Sequence, residues 1–544
     1  MESYKDKVAV VFKNQLVSYG MLEKEIDKRK AYLSTLEVKK GIIGLLFSRG
    51  IEYIYWMLAV LKSGLCFLPI NKETTAERMH YIIENSGLDV IITDEPIILE
   101  KRCIVCDEIY FSAKKQVISN KTKNNLAYIM YTSGTTGKPK GVMISNLALK
   151  HFLNYFLKDK VENDHIFLAN TAYTFDISIV EILLPLYRRA TVYMTSDEEQ
   201  KNPRKVAKLL EKYKFDWVQF TPTYLLLLVQ NGESISYLNN VKNIIVGGEK
   251  VPRTLAVMLK ENTECNLYNA YGPTEMTIWT HIGDLRDDFI NVGYAIPGVY
   301  DLILDDNFCE TDKGNLWLSG KTISNGYVND NALNEKKFVT HNGILMYDSG
   351  DVAYRKEGKL VIAGRCDNQI KISGKRVELE EIENLIVEYT NISQCIVMEA
   401  MGEIIIVIQD RKLTREKLIA QLIGKIDNSF IPKKIMYINE FPILSNGKTD
   451  RRKVREMYME NSYLENRIMD IIEKIAMVEF DKSISFKSLG VSSLEYVTLI
   501  VKVEKVFGIE FEDEALVMEN FETIEKFIDY VCSLVEKKEE QNAI

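Results

Sequence analysis

The chain alternates between short apolar runs and longer amphipathic stretches over about its first 360 residues. Runs rich in β-branched and aliphatic residues predict buried strands at 41–47, 89–93, 126–132, 216–220 and 243–248. Between such runs, apolar residues at helical spacing predict helices at 50–63 and 203–213. Alternation of strands and helices on this scale predicts layered α/β sheets.

The pattern changes towards the middle of the chain. Between residues 290 and 363, short strands are separated by Gly, Asn and Asp, which predicts a smaller β-rich piece. The polar, glycine-containing segment 364–376 predicts a boundary. The strands and helices that follow it, to about residue 455, predict a small α/β domain.

The last part of the chain, 462–536, predicts an all-α bundle. Ser462 and Glu465 have the S-x-x-E spacing of a capping box and are followed by apolar residues at helical intervals. Ser492 and Glu495 have the same spacing at the start of a second predicted helix, and a third is predicted near 523–536.

The composition is that of a globular protein, but the charge is uneven. The 544 residues exceed what one hydrophobic core organises, and 46% hydrophobic with 27% charged residues is ordinary. The net charge is −8, and residues 460–544 hold 19 acidic and 9 basic residues, a net of −10, which leaves +2 elsewhere. An acidic terminal module argues against a nucleic-acid partner.

The sequence also argues against a membrane protein. The longest apolar run, 56–70, contains Lys62 and is too short to cross a bilayer. The first residues are charged and amphipathic, unlike a secretory signal. Cys103 and Cys106 form a C-x-x-C without a second pair nearby, so we expect core thiols and a cytoplasmic location.

The segment "YTSGTTGKPKGVMIS" (131–145) interrupts the hydrophobic pattern between a predicted strand and a predicted helix that begins at Ser145. Its glycines allow consecutive N–H groups to point inward, and its hydroxyl groups and lysines complete the chemistry of a phosphate site. Neither lysine has the register of a Walker A loop. The candidate phosphate-binding residues are Thr132, Ser133, Gly134, Thr135, Thr136, Gly137, Lys138 and Lys140.

Further motifs follow in order along the chain: "LKSGLCFLPI", "FDISIVE", "NAYGPTE" (269–275), "YDSGD" (347–351), "GRCDNQIKISGKRVELEEIE" (364–383) and "SNGKTDRRKV" (445–454). Together with the 131–145 segment they resemble the signatures of the adenylate-forming superfamily, in particular an adenylation domain of a nonribosomal peptide synthetase. The resemblance implies a large N-terminal adenylate-forming domain, 1–364, of layered α/β sheets plus a small β-barrel. It also implies a small C-terminal α/β lid domain, 365–455, and an all-α four-helix carrier bundle, 460–538.

The resemblance implies that a carboxylate is joined to ATP, which yields an acyl-adenylate and pyrophosphate with the help of Mg2+. Lys448 would bridge the substrate carboxylate and phosphate oxygens, Thr274 would contact the α-phosphate, and Glu275 would ligate Mg2+. Asp367 matches the family hinge, about which the small domain would rotate between two half-reactions. Besides the phosphate loop, the residues implied for ATP are Asn269, Ala270, Tyr271, Asp351 and Arg365.

The segment "FKSLGVSSLEYVTL" (486–499) resembles the attachment site of a peptidyl carrier domain. Ser493 would receive phosphopantetheine from a phosphopantetheinyl transferase, and the capping box places it at the first helical position. The arm's thiol would then attack the acyl-adenylate to give a thioester. We expect no room for a condensation domain, so a condensation or tailoring enzyme would act in trans on the loaded carrier.

Asp176 in "FDISIVE" matches the family residue that pairs with the α-amino group of an amino-acid substrate. The other pocket positions implied by the resemblance are Ile177, Val180, Gln219, Ile245, Gly247, Ala270, Ile278 and Trp279. Trp279 and Gln219 are bulky and would occupy the volume of a large side chain. The set resembles that of glycine-activating domains, with alanine, serine or cysteine as alternatives.

Two other interpretations stay open at this point. The chain could be an aryl- or acyl-acid ligase that loads a carrier or CoA, although Asp176 argues against it. It could also be a non-catalytic carrier or scaffold subunit, against which the ordered motifs argue.

Overall fold

The structure is a computed structural model that describes residues 4–96, 103–106, 125–132, 138–230, 235–305, 307–365, 369–372, 375–390, 392, 394–400, 403–409, 413–426, 430–442, 449–476, 480, 482, 484–512, 515 and 517–542. The chain forms two compact units. The first contains Met1–Ser393 and Glu416–Ile431, and the second contains Gln394–Arg415 and Pro432–Ile544.

The strands of the first unit form two large sheets, a smaller antiparallel sheet and a short hairpin. In chain order they are β1 Val8–Phe12, β2 Gln15–Ser18, β3 Ile42–Leu46, β4 Cys66–Ile70, β5 Val90–Thr93, β6 Cys103–Val105, β7 Leu126–Thr132, β8 Lys140–Ser145, β9 Ile166–Ala169, β10 Thr191–Met194, β11 Phe215–Phe220, β12 Val241–Gly247, β13 Asn266–Tyr271, β14 His281–Asp284, β15 Tyr294–Ala295, β16 Val299–Leu304, β17 Lys313–Gly320, β18 Phe338–His341, β19 Ile344–Lys356, β20 Lys359–Arg365, β21 Gln369–Ile372 and β22 Lys375–Glu378.

The helices that accompany these strands are α1 Tyr19–Leu33, α2 Ile51–Lys62, α3 Ala76–Ser86, α4 Asn146–Tyr155, α5 Ser178–Tyr187, α6 Asp197–Gln200, α7 Pro203–Lys212, α8 Pro222–Gln230, α9 Arg253–Asn262, α10 Asn331–Lys337, α11 Leu379–Tyr389 and α12 Arg415–Leu422. The predicted strands are β3, β5, β7, β11 and β12, and the predicted helices are α2 and α7, each within a few residues of the expected bounds. The α/β prediction is confirmed.

The two large sheets are mostly parallel and share a core. The nine-stranded sheet has the order β15-β14-β13-β12-β11-β9-β10-β1-β2, and the six-stranded sheet has the order β6-β5-β3-β4-β7-β8. One cluster of buried side chains joins the two sheets and includes α2, α4 and α5. The predicted β-rich piece is the five-stranded antiparallel sheet β16–β20.

The segment after β7 differs from the sequence prediction. Instead of running directly to a helix, the chain returns as β8, which pairs antiparallel with β7 and places Thr132 opposite Lys140. Only then does α4 begin, with the Ser145 hydroxyl accepting from the Ala148 N–H at 3.1 Å. The run Lys140–Ser145 was missed as a strand because Gly and Pro next to it read as loop.

The C-x-x-C pair lies at β6. Both cysteines are free thiols, and burial raises the pKa of the Cys106 thiol to about 12. A thiol with such a pKa stays protonated at neutral pH, which agrees with the expected core thiols.

The second unit contains a small sheet and long helices. Its strands are β23 Ile396–Ala400, β24 Glu403–Ile408 and β25 Lys434–Tyr437, and its helices are α13 Arg451–Ala476, α14 Ser493–Phe507 and α15 Ile524–Asn542. The fourth helix of the expected carrier bundle is represented, among the described residues, by the one-turn 3-10 helix Met518–Asn520.

The helix start predicted at Ser462 and Glu465 is wrong, because α13 runs without a break over 26 residues. No Gly or Pro occurs within it, and both of its ends are held by packing. Val454 and Tyr458 pack with the β23–β25 sheet, whereas Ile468 and Ile472 pack in the carrier core. Burial at both ends keeps the helix continuous.

The carrier core is apolar and aromatic. Tyr496, Leu499, Ile500 and Val503 of α14 are buried with Phe486 and with residues of α13 and α15. Within the described ranges, no helix combines the length and the apolarity that crossing a bilayer requires.

Candidate functional site

The predicted pocket residues lie at the carboxyl ends of neighbouring parallel strands. In β11 and β12, Gln219 is opposite Ile245, and in β12 and β13, Gly247 is opposite Ala270. Open α/β sheets bind ligands at this edge of the strands. The structure therefore brings these four residues together in register, as a pocket requires.

Trp279 closes one side of this pocket. Its side chain is only 2% exposed, and a methyl group on Gly247 would come within 2.8 Å of Trp279 Cη2 and 2.7 Å of the Ala270 oxygen. The absence of a side chain at Gly247 is thus what lets the indole lie against the strand.

The two residues before Trp279 have unusual backbones. Thr277 and Ile278 have φ of 59° and 73°, in the left-handed region that β-branched residues avoid. Each costs about 1–3 kcal/mol and persists only where the surroundings hold it. The Thr277 hydroxyl donates to the Thr322 oxygen at 2.7 Å, and this hydrogen bond helps to stabilise the unusual backbone.

Asp176 lies just before α5 and is 5% exposed. The next residues, Ile177 and Val180, are buried in the same core as Ile245, Ala270, Ile278 and Trp279. Tyr128 of β7 is also nearby, since the Asp176 carboxylate helps burial to raise the pKa of the Tyr128 phenol. Asp176 thus places a carboxylate in an apolar environment, where its attraction to a cation is strong.

Glu181 was not singled out from the sequence, although it ends the "FDISIVE" motif. It is 1% exposed, and burial raises the pKa of its carboxyl. Gln219 bridges it to the pocket: the Gln219 amide nitrogen donates to Glu181 Oε1 at 3.4 Å, and its oxygen accepts from the Trp279 indole N–H at 3.0 Å. Only its position in a motif with other pocket residues could have indicated it.

The predicted ribose-binding residues form a hydrogen-bonded group at the end of β20. Asp351 is opposite Arg365 in the β19–β20 pairing, and Arg365 Nη1 donates to Asp351 Oδ1 at 3.0 Å. The Tyr271 hydroxyl donates to Asp351 Oδ2. Burial and the Asp351 carboxylate raise the pKa of the Tyr271 phenol well above its ordinary value, so this phenol remains a donor.

Asn269, two residues before Tyr271 in β13, is held by a backbone contact. It is buried, and its side-chain amide donates to the Asn291 oxygen at 2.8 Å. Asn269, Ala270 and Tyr271 are consecutive residues at the end of that strand, so they form one edge of the candidate nucleotide site.

Glu275 lies in the 3-10 turn Thr274–Met276 and is fully buried. Its Oε1 accepts from the Tyr327 hydroxyl at 2.6 Å and lies 3.7 Å from the Lys140 ammonium. Lys140 also lies 5.1 Å from the centre of the Tyr327 ring. The structure thus places Lys140 beside Glu275, and Tyr327 is a contact that the sequence did not indicate.

This arrangement fits Mg2+. The ion commonly takes one or two protein carboxylates and fills its remaining positions with phosphate oxygens and water. The hydroxyl of Tyr327 fixes the orientation of the Glu275 carboxylate, as partners of metal-binding carboxylates do. Thr274, at the start of the same turn, is half-buried.

Part of the predicted phosphate loop is described. Thr132 ends β7, and among the described residues its buried hydroxyl has no hydrogen-bond partner. Lys138 is exposed, with its ammonium 5.6 Å from the centre of the Tyr81 ring. The other candidates lie outside the described residues: Ser133, Gly134, Thr135, Thr136, Gly137, Asp367 and Lys448.

Ser493 in the second unit is exposed and is the first residue of α14, as predicted. The Ser492 hydroxyl accepts from the Glu495 N–H at 3.3 Å, and Glu495 Oε2 accepts from the Ser492 N–H at 2.8 Å. The capping box prediction is confirmed. A phosphodiester on Ser493 would lie in the favourable field of the helix N-terminus.

Comparison with known proteins gives two family matches. The profile described as "AMP-binding enzyme" matches residues 1–328. The profile described as "Phosphopantetheine attachment site" matches residues 466–531, which include Ser493. ATP, Mg2+ and covalently attached phosphopantetheine are the groups that these families use.

Relatives and solved structures agree with these matches. Gramicidin S synthase 2 of Brevibacillus brevis is 27% identical over 97% of this chain, which spans 12% of that protein. Zwittermicin A synthase ZmaJ of Bacillus cereus is 28% identical over 82% of this chain and 91% of its own length. The structure of NpsA-ThdA, an artificially fused adenylation-PCP di-domain from Klebsiella oxytoca, matches 80% of this chain and 92% of its own with a TM-score of 0.71 at 20% identity, which shows a common fold.

The first profile covers more than half of the chain, and its range contains Glu275, Asp176 and the carboxyl edge of β11–β13. The second covers the carrier core and the start of α14. The chain belongs to the AMP-binding enzyme family and carries a phosphopantetheine attachment domain.

Proposed function

We propose that the protein uses ATP to convert a small α-amino acid, glycine foremost, into an aminoacyl-adenylate and then loads it onto its own carrier domain. The adenylating part would be residues 1–364 with the lid 365–455, and the carrier would be 460–538. The thioester on Ser493 would serve synthesis of a nonribosomal peptide or a related metabolite.

The observation that carries the amino-acid proposal is the buried carboxylate of Asp176 beside the apolar residues Ile177 and Val180. At this depth a carboxylate attracts a cation strongly, and an α-ammonium group supplies a compact one. An aryl or fatty acid brings no cation to pair with this carboxylate.

The size of the pocket supports glycine, with alanine, serine or cysteine as alternatives. The Trp279 indole lies against Gly247, and the Gln219 amide holds the indole N–H. A hydrophobic wall excludes an added methyl group sterically, but only by about 10–200-fold. Selection for the smallest side chain therefore requires that this wall stay in place.

In the first half-reaction, an oxygen of the substrate carboxylate would attack the α-phosphorus of ATP. The bond to the β-phosphate would break, and pyrophosphate would leave with the bonding electrons. Glu275 would hold Mg2+, which when bound neutralises charge on the phosphates. The loop 132–141, with Lys138 and Lys140, would hold the β- and γ-phosphates, and Thr274 and Lys448 would orient the oxygens at the α-phosphate.

The nucleoside would lie at the end of β13. Asp351 would accept hydrogen bonds from the ribose hydroxyls, and Arg365 would hold that carboxylate in place at 3.0 Å. Asn269, Ala270 and Tyr271 would border the adenine.

In the second half-reaction, the thiol of phosphopantetheine would lose its proton and attack the carbonyl carbon of the adenylate. The carbon–oxygen bond to AMP would break, which leaves a thioester and free AMP.

Rotation of the lid about Asp367 would switch the active site from the first half-reaction to the second. Tethering through Ser493 raises the effective concentration of the thiol. A phosphopantetheinyl transferase would supply the arm, and a condensation or tailoring enzyme would take up the aminoacyl group.

Exchange of labelled pyrophosphate into ATP over a panel of amino acids tests the proposal. We expect exchange with glycine, weaker exchange with alanine, serine or cysteine, and none with large side chains. Strongest exchange with a large aromatic amino acid would overturn the pocket argument. Exchange with an aryl or fatty acid but with no amino acid would overturn the substrate class.

A further inference from the structure

The indole of Trp279 is held from behind by a chain of hydrogen bonds that ends in a buried acid. Its Nε1–H donates to Gln219 Oε1 at 3.0 Å. The amide nitrogen of Gln219 in turn donates to the Ile177 oxygen at 3.2 Å and to Glu181 Oε1 at 3.4 Å. The pocket wall thus depends on which way the Gln219 amide points.

At the other end of this series of hydrogen bonds, both carboxylate oxygens of Glu181 already accept from neighbouring donors. Glu181 Oε1 accepts from the Thr171 hydroxyl at 2.5 Å, and Oε2 accepts from the backbone N–H groups of Asn170 at 2.8 Å and Thr171 at 2.7 Å. The segment itself is anchored, since Arg49 Nη1 donates to the Thr171 oxygen at 2.6 Å. The acid therefore has a fixed position rather than a choice of partners.

The contacts at Glu181 determine which end of the Gln219 amide faces the indole. Both Glu181 oxygens accept from neighbouring donors, and the Ile177 carbonyl can only accept, so the group of Gln219 that faces them must be its NH2. The other end of the amide, its oxygen, then faces Trp279, whose indole only donates. Reversal of the amide would set two donors against each other at Trp279 and two acceptors against each other at Glu181.

We propose that Glu181 is a positioning residue for substrate selection: through the Gln219 amide it fixes the Trp279 indole, and so restricts the pocket to amino acids with little or no side chain. The inference rests on the proposed function and deepens it. Glu181 touches neither substrate nor nucleotide in this role. Its effect is on the ratio between substrates rather than on the chemistry.

The variant Glu181→Gln tests this role, because its amide cannot accept at every contact that the carboxylate serves. We expect the ratio of kcat/KM for glycine to kcat/KM for alanine to fall by about tenfold or more as the indole loses its fixed position. The kcat for glycine should change much less than its KM. An unchanged ratio would overturn the proposal.

A double-mutant cycle with Trp279→Phe, whose side chain has no N–H, distinguishes the proposed role of Glu181 from a merely structural one. If Glu181 acts through the indole, Glu181→Gln changes the substrate ratio little in the Trp279→Phe background. Equal effects in both backgrounds would overturn the proposal. Should Glu181→Gln fail to fold, Gln219→Leu removes the same link at similar volume, and an unchanged substrate ratio in Gln219→Leu would overturn the proposal.

A readout that does not need activity separates this inference from the proposed function. The chain has four tryptophans, so indole N–H resonances of 15N-labelled protein are few, and Trp279→Phe assigns one of them. We expect Glu181→Gln to shift that resonance, and the exposed control Glu261→Gln to leave it in place. No shift overturns the link, whereas a shift in a protein that activates no amino acid overturns only the proposed function.

Discussion

At the scale of single residues, the role we propose for the carboxylate of Asp176 is to select the class of acid that is activated. Its replacement in Asp176→Asn removes the charge but keeps the shape. Leaving one member of a buried ion pair without its partner costs about 3–5 kcal/mol, so kcat/KM for glycine should fall at least about a hundredfold. Pyrophosphate exchange measures this change.

The exposed residue Glu261 provides a control for Asp176→Asn. The variant Glu261→Gln also removes one carboxylate from the first unit, and its exchange rates should equal those of the unmodified protein. If Asp176→Asn retained its kcat/KM for glycine, the pairing of Asp176 with the α-ammonium group would be refuted.

Gly247 sets the space for the Trp279 indole. In Gly247→Ala the new methyl group would meet the Ala270 oxygen at 2.7 Å and the indole at 2.8 Å. Such overpacking costs about 1–3 kcal/mol, so both the free energy of unfolding in urea and the glycine-dependent exchange should fall.

Gly50→Ala is the matched control, because the nearest atom to its added methyl group is 3.9 Å away and its φ of 172° suits any residue. It should leave both quantities close to their original values. Normal stability together with normal glycine exchange in Gly247→Ala would contradict the close packing at this position.

At the scale of elements, we expect the two serines at the start of α14 to have different roles, Ser492 in folding and Ser493 in modification. Ser492 caps the helix with its hydroxyl, whereas Ser493 is exposed and lies at the first helical position. Ser492→Ala should lower the carrier's free energy of unfolding by about 1 kcal/mol and still accept phosphopantetheine.

Ser493→Ala should fold normally and gain no mass when it is treated with the transferase. Modification of Ser493→Ala would show that another residue carries the arm.

The same capping box predicts a pH effect. Hydrogen bonds from the backbone and hydroxyl of Ser492 lower the pKa of Glu495 below its ordinary value of 4.5. Because the folded-state pKa is the lower one, the stabilisation is present above that ordinary value and is lost as the pH falls through the folded pKa. The free energies of unfolding of the original protein and of Glu495→Gln should differ at neutral pH and converge as the pH falls below the folded-state pKa of Glu495. A difference that persists in acid would contradict this.

The elements also show what the sequence could predict. Strands such as β3 and β12 were predictable because a buried strand is a local apolar run. The strand β8 was not, since its six residues begin beside Gly and Pro and its partner is fixed by tertiary pairing. The capping box at Ser462 failed because packing at both ends of α13 overrides a local signal.

The site was predictable to the extent that its residues occur in motifs. Gln219, Gly247 and Ala270 were expected to share a pocket, and the register of β11–β13 places them side by side. Tyr327 lies 52 residues from Glu275 in the sequence, and no spacing rule connects them. The link from Glu181 through Gln219 to Trp279 likewise depends on strand positions that only the fold supplies.

At the scale of the whole molecule, the proposed activation and loading would depend on groups in both compact units. Asp176, Glu275 and Asp351 belong to the first unit, and Ser493 belongs to the second. Under the proposed function, a loaded thioester requires all of them together with ATP. The product on the carrier is therefore a more direct test than any single variant.

The decisive measurement is the mass of the intact protein, and of its proteolytic peptides, after treatment with a phosphopantetheinyl transferase, ATP, Mg2+ and a mixture of amino acids. We predict one added arm on the peptide that contains Ser493, and a glycyl group on that arm only when ATP is present. An arm on a different residue, or an arm that stays unloaded with every amino acid while ATP is present, would contradict the account.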